Sequence, residues 1–189
     1  MSSILDLPSI RARISRVSLD EYHRQPERNE HGKRTELIRG IVVEKMSKSP
    51  LHQAVIMRLF RLIWEAVGGE FLVRKDSPLT LVDSEPEPDI SVAEGREDRF
   101  VAEHPHTARL VIEVALTSPA EDRELCAIYA EAGVNEYWIV LPKEKSIEVY
   151  RQPESGRYRE MHIYVVGDEL VCGELPSIRL SLDALFAGL

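Results

Sequence analysis

The sequence has little cysteine and no long apolar run, and each shortage narrows the class of protein. Only two cysteines occur among 189 residues. Cys126 and Cys172 stand far apart without the spacing of metal ligands, which favours reduced thiols in a cytoplasmic protein. No segment approaches the roughly 18 consecutive apolar residues of a membrane span, and the N-terminal sequence lacks the pattern of a secretion signal. We therefore expect a soluble cytoplasmic protein with no membrane partner.

The motifs of several common enzyme and zinc-binding sites are also missing. The chain has no phosphate-binding glycine loop, no nucleophile elbow and no zinc-finger spacing. Its length fits one domain, which we place at residues 18–189 after an N-terminal extension over residues 1–17. Any chemistry must therefore be carried by polar residues outside these common motifs.

Acidic and basic residues are segregated along the chain. Residues 1–75 hold 14 Lys or Arg and 9 Asp or Glu, a balance of +5, whereas residues 76–189 hold 10 and 23, a balance of -13. The two balances sum to the net charge of -8, which argues against indiscriminate binding of nucleic acid. Either the charges are distributed by chance over solvated faces, or a basic surface faces a polyanion while acidic residues gather around a metal.

The first half of the chain predicts two helices and a hairpin. Ser18 and Glu21 have the spacing of a capping box, which begins a short helix in "LDEYHRQ". The segment "TELIRGIVVEKM" alternates apolar and polar residues around its Arg-Gly pair, which predicts a hairpin or a bent strand. A longer helix begins at Ser49 and Pro50, carries apolar residues at helical spacing and ends at two consecutive glycines.

The second half predicts strands around one further long helix. The segments "FLVRK", "PLTLV", "DISVAE" and "RLVIEVAL" are typical of short extended stretches. Pro119 opens a helix that Gly133 ends, and "EYWIVL" follows as a strand buried on both faces, which predicts a βαβ unit. The alternating segments "SIEVYR" and "RYREMHIYVV" predict antiparallel strands, and Ser181 can cap a last short helix. The predicted fold class is α/β, a mixed β-sheet flanked by helices.

Two carboxylates, Asp89 and Glu113, occur where a charge is costly. Glu113 stands inside the apolar run "LVIEVAL", and Asp89 begins a strand after the two prolines of "EPEPDISV". A lone buried charge costs several kcal/mol unless it is paired or bound to metal. Two carboxylates that converge from adjacent strands would be neutralised by a divalent cation, and hard oxygen ligands suit Mg2+ or Mn2+. The alternative, more common for an acid in a strand, is an edge residue or one half of an ion pair.

Five sequence blocks, in order, resemble the putative restriction endonuclease family, a bacterial branch of the PD-(D/E)XK nuclease superfamily. The blocks are "ELIRGIVVEKM", "SPLHQAV", "EPEPDISV", "LVIEVALTS" and "YAEAGVNEYWIV". The resemblance implies a restriction-endonuclease-like fold with helices on both faces of a mixed sheet. It implies that Asp89 and Glu113 are catalytic Mg2+ ligands and that Glu36 is a further acidic residue near the metal. It also implies that His52 contacts the substrate or caps its helix.

The lysine of that family is missing from both positions where the resemblance would place it. Ala115 stands two residues after the motif Glu, and Leu125 stands four residues before the tyrosine of the "YAEAG" block. Such a lysine orients and acidifies the attacking water and stabilises charge on the phosphate, so its loss costs orders of magnitude in rate. Arg123 or another basic side chain from a neighbouring turn could substitute for it, although residues two apart on a helix do not share a face.

The resemblance implies an Mg2+-dependent or Mn2+-dependent DNA endonuclease, homodimeric because cleavage of a duplex uses two opposed sites. The absent lysine favours a second interpretation, a catalytically inactive nucleic-acid-binding or interaction protein on the same fold. A third is a metal-dependent hydrolase of another substrate, which the net acidity of the chain would tolerate. Retention of Asp89 and Glu113 favours the enzyme.

Overall fold

A computed structural model describes residues 7–26, 31–117 and 119–189 of the chain. Helices and strands follow one another in these residues as α1 (Pro8–Arg11), α2 (Leu19–His23), β1 (Thr35–Ile38), β2 (Ile41–Glu44), α3 (Pro50–Ala66), β3 (Phe71–Lys75), β4 (Ile90–Glu94), β5 (Leu110–Val114), α4 (Pro119–Glu131), β6 (Glu136–Leu141), β7 (Ser146–Glu154), β8 (Arg157–Val165), β9 (Glu169–Val171), β10 (Arg179–Ser181) and α5 (Leu182–Phe186). A single 3-10 turn, Glu97–Phe100, separates β4 from β5 in the described part of the chain.

The first of two compact units comprises the described residues up to Lys45 together with Asp83–Glu85. Within it, the side chain of Ser18 accepts the backbone N–H of Glu21, and Glu21 reaches back to the backbone of Ser18, so the predicted capping box begins α2. β1 and β2 pair antiparallel, which confirms the predicted hairpin. Gly40 closes its turn at a φ of 74°, a conformation that favours glycine.

The second unit comprises Met46–Val82 and Pro86–Leu189 and holds most of the chain. Its six-stranded sheet has the order β3-β4-β5-β6-β7-β8, in which β5 and β6 are parallel and the other neighbours are antiparallel. α4 connects β5 to β6, which confirms the predicted βαβ unit. A boundary between an extension over residues 1–17 and a domain over residues 18–189 stays a prediction.

α3 buries the apolar face that its sequence predicts. The side chain of Ser49 accepts the backbone N–H of His52, and Pro50 begins the helix as predicted. The buried face of the helix consists of Val55, Ile56, Leu59 and Ile63. These side chains pack into one core with Trp138 of β6, and burial of each contributes about 1.5–3 kcal/mol. The start of α3 is thereby fixed beside the sheet.

One predicted extended segment, "PLTLV", does not join a sheet. Two of its backbone N–H groups each make one hydrogen bond, and the two acceptors lie in different segments. The N–H of Leu79 donates to the carbonyl of Pro86 at 2.9 Å, and that of Thr80 donates to the carbonyl of Pro105 at 3.0 Å. Isolated bonds of this kind do not build a strand ladder. The other predicted strands and the predicted class, a mixed α/β sheet flanked by helices, are confirmed. None of the described helices combines the length and apolar character required to cross a membrane.

Candidate active site

Asp89 and Glu113 lie side by side on neighbouring segments of the sheet. β4 and β5 pair antiparallel with Ile90 opposite Ile112, and one further step in this register sets Asp89 opposite Glu113. The backbone N–H of Asp89 donates to Oε2 of Glu113 at 3.1 Å. The backbone N–H of Val114 donates to Oδ2 of Asp89 at 2.8 Å. The structure therefore brings together the two carboxylates that the sequence singles out.

The carboxylate of Asp89 is buried, with only 4% of the residue exposed. Its Oδ1 accepts from Nζ of Lys48 at 2.5 Å, and its Oδ2 lies 3.1 Å from Nε2 of His52. Burial alone would raise the pKa of Asp89, but the hydrogen bond from His52 and the charge of Lys48 outweigh it and hold that pKa below its ordinary value. Asp89 is therefore ionised at neutral pH.

Lys48 is a member of this cluster that sequence patterning misses. It lies in the loop before α3, and its ammonium forms ion pairs with both Asp76 and Asp89. Burial lowers the pKa of Lys48, but the charges of the two carboxylates outweigh that effect and raise the pKa above its ordinary value. The side chain is thus protonated at neutral pH. No local signal could reveal this contact, because Lys48 and Asp89 are 41 residues apart in sequence.

Asp76, the third carboxylate of the cluster, directly follows β3. Its φ of 49° lies in the left-handed region, which a short polar residue tolerates better than most. Its backbone N–H donates to the carbonyl of Asp89 at 3.3 Å. Burial would raise the pKa of Asp76, but hydrogen bonds from Lys48 and Lys75 lower it below its ordinary value. Asp76 therefore anchors Lys48 at the end of β3.

Glu113 is oriented by a tyrosine from α4. The hydroxyl of Tyr129 donates to Oε1 of Glu113 at 3.0 Å. Tyr129 is fully buried, and its ring centroid lies 4.9 Å from that of Tyr137, so packing fixes the hydroxyl in place. The sequence suggested no role for this tyrosine, although its block, "YAEAGV", carries part of the family resemblance.

His52 enters the cluster from the first turn of α3. Its Nε2 faces Oδ2 of Asp89 at 3.1 Å, and because an ionised carboxylate only accepts, Nε2 carries the proton. The other ring nitrogen, Nδ1, is buried and has no hydrogen-bond partner among the described residues. The side chain of Ser49 caps α3 by accepting the backbone N–H of His52, and the imidazole ring takes no part in this bond. The imidazole therefore positions Asp89, while its predicted contact with substrate stays a prediction.

Glu36, the remaining acidic residue that the sequence singles out, lies on β1 in the first unit. Its Oε1 forms an ion pair with Nζ of Lys45 at 2.6 Å, and each side chain is 16% exposed. A role for Glu36 near a metal stays a prediction.

The two positions expected to carry a lysine present no cation. Ala115 is buried at the end of β5, and Leu125 is half-buried on α4. Arg123 does not compensate, because its guanidinium is held by Glu148: Nε lies 3.0 Å from Oε2, and Nη2 donates to Oε1 at 2.5 Å. Any ammonium in the cluster must therefore come from another part of the chain.

The donor set of the cluster suits a hard divalent cation. Asp89 and Glu113 present carboxylate oxygens from adjacent strands, and protein-bound Mg2+ typically uses one or two carboxylates and otherwise keeps water or phosphate oxygens as ligands. Across the ranges that the structure describes, no group of three or more His, Cys, Asp or Glu side chains is arranged to hold a metal ion.

Comparison with known proteins identifies similar sequences and folds. A family model described as Uma2, putative restriction endonuclease, matches residues 19–183. A crystal structure of a putative nuclease belonging to DUF820, from Anabaena variabilis, superposes with a TM-score of 0.78. The two chains are 21% identical, and the alignment covers 90% of this chain and 98% of that one. No curated protein matches the sequence significantly.

Proposed function

The chain belongs to the Uma2 family of putative restriction endonucleases, and from that membership we propose that it is a metal-dependent endonuclease hydrolysing phosphodiester bonds in DNA. The hydrogen bond from the backbone of Asp89 to the carboxylate of Glu113 carries this proposal. It supports a shared site for the two residues that the family resemblance names as metal ligands.

Mg2+ is the cation we propose, with Mn2+ as an alternative, held by Asp89 and Glu113. When bound, such an ion polarises a phosphate oxygen and lowers the pKa of a water molecule. The side chains around the carboxylates prepare them for this task. His52 and Lys48 keep Asp89 ionised, and Tyr129 holds Glu113 towards Asp89 by its hydroxyl hydrogen bond. Ligands that are already oriented need less reorganisation when they bind a cation.

The partner we propose is duplex DNA, bound by a homodimer. A duplex has two strands of opposite polarity, so two copies of one site related by a two-fold axis can each cut one strand. Sedimentation of the protein with and without a short duplex tests this arrangement. A particle that contains two chains and one duplex supports it, whereas one chain on one duplex contradicts it.

Nicking of supercoiled plasmid in the presence of Mg2+ or Mn2+ tests the activity. Asp89→Ala and Glu113→Gln should lower the nicking rate by at least about a hundredfold, because each removes a ligand charge that the reaction requires. Asp98→Ala and Glu144→Gln are matched controls at exposed positions and should nick as the wild type does. Equal nicking by wild type and Asp89→Ala would contradict the proposal.

A second function, DNA binding without cleavage, is favoured by one observation, the uncharged residues Ala115 and Leu125 at the expected lysine positions. A mobility-shift assay run beside the nicking assay separates the two functions. Retarded DNA without nicking at any metal concentration would support binding alone. Metal-dependent nicking that requires Asp89 would exclude it.

A further inference from the structure

The cluster contains an ammonium group even though Ala115 and Leu125 carry none. Nζ of Lys48 reaches Oδ1 of Asp89 at 2.5 Å from the loop that precedes α3. We propose, resting on the nuclease function above, that Lys48 is a catalytic residue: its ammonium contacts the scissile phosphate and the attacking water. The positive charge that the family resemblance would place at position 115 or 125 is thus supplied by the loop before α3.

The anchoring of Lys48 suits this task. Its side chain is only 16% exposed, and the next residue, Ser49, caps α3 and so fixes the backbone beside the helix start. An ammonium has three N–H donors. Two of them go to Asp89 and Asp76, which leaves a third for an oxygen of a phosphate bound at the same carboxylate. A charge fixed in advance stabilises a transition state without reorganisation.

Asp76 explains how Lys48 can remain in the site when Asp89 binds a metal. A cation on Asp89 would compete with the ammonium for the lone pairs of that carboxylate. Asp76 offers a second carboxylate for the same ammonium, and its backbone bond to Asp89 keeps the two residues together. Lys48 would therefore stay paired with Asp76 if a cation displaced it from Asp89.

The step that Lys48 assists is a hydrolysis. The oxygen of a water molecule forms a bond to phosphorus, and the bond from phosphorus to the leaving sugar oxygen breaks. The water loses one proton to solvent, and the leaving oxygen gains one from solvent. Lys48 keeps its own proton throughout: it donates hydrogen bonds to the water and to a phosphate oxygen, where negative charge develops in the transition state.

A lysine that only neutralised a buried acid would behave in the opposite way. If Lys48 were a built-in counterion that occupies the place of the metal, its removal would leave Asp89 more available to cations. Metal affinity would then rise and nicking would be preserved or increased. Activity and metal affinity therefore distinguish the two roles when both are measured on the same variant.

The experiment compares Lys48→Met with Lys75→Met in plasmid nicking with Mn2+ and in calorimetric titration of the DNA-free protein with Mn2+. Lys143→Met is added as the control, because it removes an equal charge at an exposed position outside the cluster, whereas Lys75→Met removes the second partner of Asp76, 2.6 Å away. We expect Lys48→Met to nick about 10²- to 10³-fold more slowly with Mn2+ affinity equal to or higher than that of wild type, and Lys143→Met to stay within about threefold of wild type. If Lys48→Met does not fold, Lys48→Gln, whose amide can donate to a carboxylate, replaces it.

A second substitution tests whether a lysine at position 125 can replace Lys48 in the reaction. Leu125 lies one turn before Tyr129 on α4, and residues four apart share a helix face, so a lysine at position 125 can approach Glu113. We expect Leu125→Lys to restore about tenfold of the nicking lost in Lys48→Met. Restoration would assign the two positions to one task.

Three results would overturn the role of Lys48. Wild-type nicking by folded Lys48→Met would exclude it, as would tighter Mn2+ binding with preserved nicking. Loss of nicking together with an equal loss of Mn2+ affinity would assign Lys48 a structural role instead. If wild type and Asp89→Ala are equally inactive, the proposed nuclease function itself fails. Nicking that requires Asp89 but not Lys48 rejects only the inference about Lys48.

Discussion

Asp89 and Glu113 are joined by a hydrogen bond between the backbone of one and the side chain of the other: N–H of Asp89 donates to Oε2 of Glu113 at 3.1 Å. The carboxylate of Asp89 in turn accepts the backbone N–H of Val114 at 2.8 Å. These two bonds tie each carboxylate to the other strand, so the sheet register sets the distance between them. A site that depends on both acids therefore depends on the pairing of β4 with β5.

Replacement of His52 by alanine should lower the affinity for a divalent cation by more than it lowers the free energy of unfolding. The imidazole holds Oδ2 of Asp89 at 3.1 Å, and loss of a group that orients a metal ligand typically costs about 10- to 100-fold in affinity. Calorimetric titration with Mn2+ measures the change. His162→Ala removes an exposed imidazole from β8 and serves as the control; equal affinities for the two variants would contradict the positioning role of His52.

Tyr129→Phe should slow nicking by about fivefold with little change in DNA binding, because it deletes one hydrogen bond to Glu113, worth about 1 kcal/mol. Tyr137→Phe is a matched deletion, since that hydroxyl donates to the backbone carbonyl of Asp122 at 3.0 Å and not to a carboxylate. Plasmid nicking and a mobility shift measure the two effects. The same loss of nicking in both variants would indicate a general packing defect.

Glu136→Ala should destabilise the protein by about 2–4 kcal/mol, because it leaves the half-buried guanidinium of Arg151 and the buried indole N–H of Trp138 without their shared acceptor. Glu136 is 1% exposed and accepts from Nη2 of Arg151 at 3.0 Å, from Nε1 of Trp138 at 2.7 Å and from the backbone of Gly173 at 2.7 Å. Urea denaturation measures the free energy of unfolding. Glu160→Ala, at an exposed position, should change it by less than about 0.5 kcal/mol; similar losses for the two variants would refute the buried cluster.

Glu148 should make the stability of the protein sensitive to acid. The hydrogen bond from Arg123 holds the pKa of Glu148 below its ordinary value of 4.5. A depressed pKa in the folded state contributes stability that is present above pH 4.5 and is lost as the pH falls through the folded-state pKa. Urea denaturation from about pH 6 to about pH 3 should therefore show a shallower decline for Glu148→Gln than for wild type. Parallel declines would contradict the contribution of this pair.

The order of the helices and strands from α3 to β8 is predictable from local patterns, whereas β9 and β10 were not predicted. "EYWIVL" is apolar throughout, and every residue of β6 is buried. Ser49 and Pro50 predict the start of α3, and the buried face of this helix follows the predicted periodicity. The prediction fails for "PLTLV": its alternation of residues is typical of a strand, but its N–H groups donate to two unrelated segments and it joins no sheet. Whether an extended segment finds a strand partner is a property of distant chain, which a local pattern does not contain.

Local patterns indicated the long helices and the strands of the six-stranded sheet, and they showed that Asp89 and Glu113 needed a compensating charge, because burial imposes periodicity and penalises a lone carboxylate. The group that compensates Asp89 within the chain could be identified only from the packing of segments distant in sequence. Lys48 lies 28 residues from Asp76 and 41 from Asp89 in sequence, and no local spacing links the three. They meet because α3 packs on the sheet and fixes the loop before it, so that a lysine without any motif reaches the carboxylates where β3 ends and β4 begins.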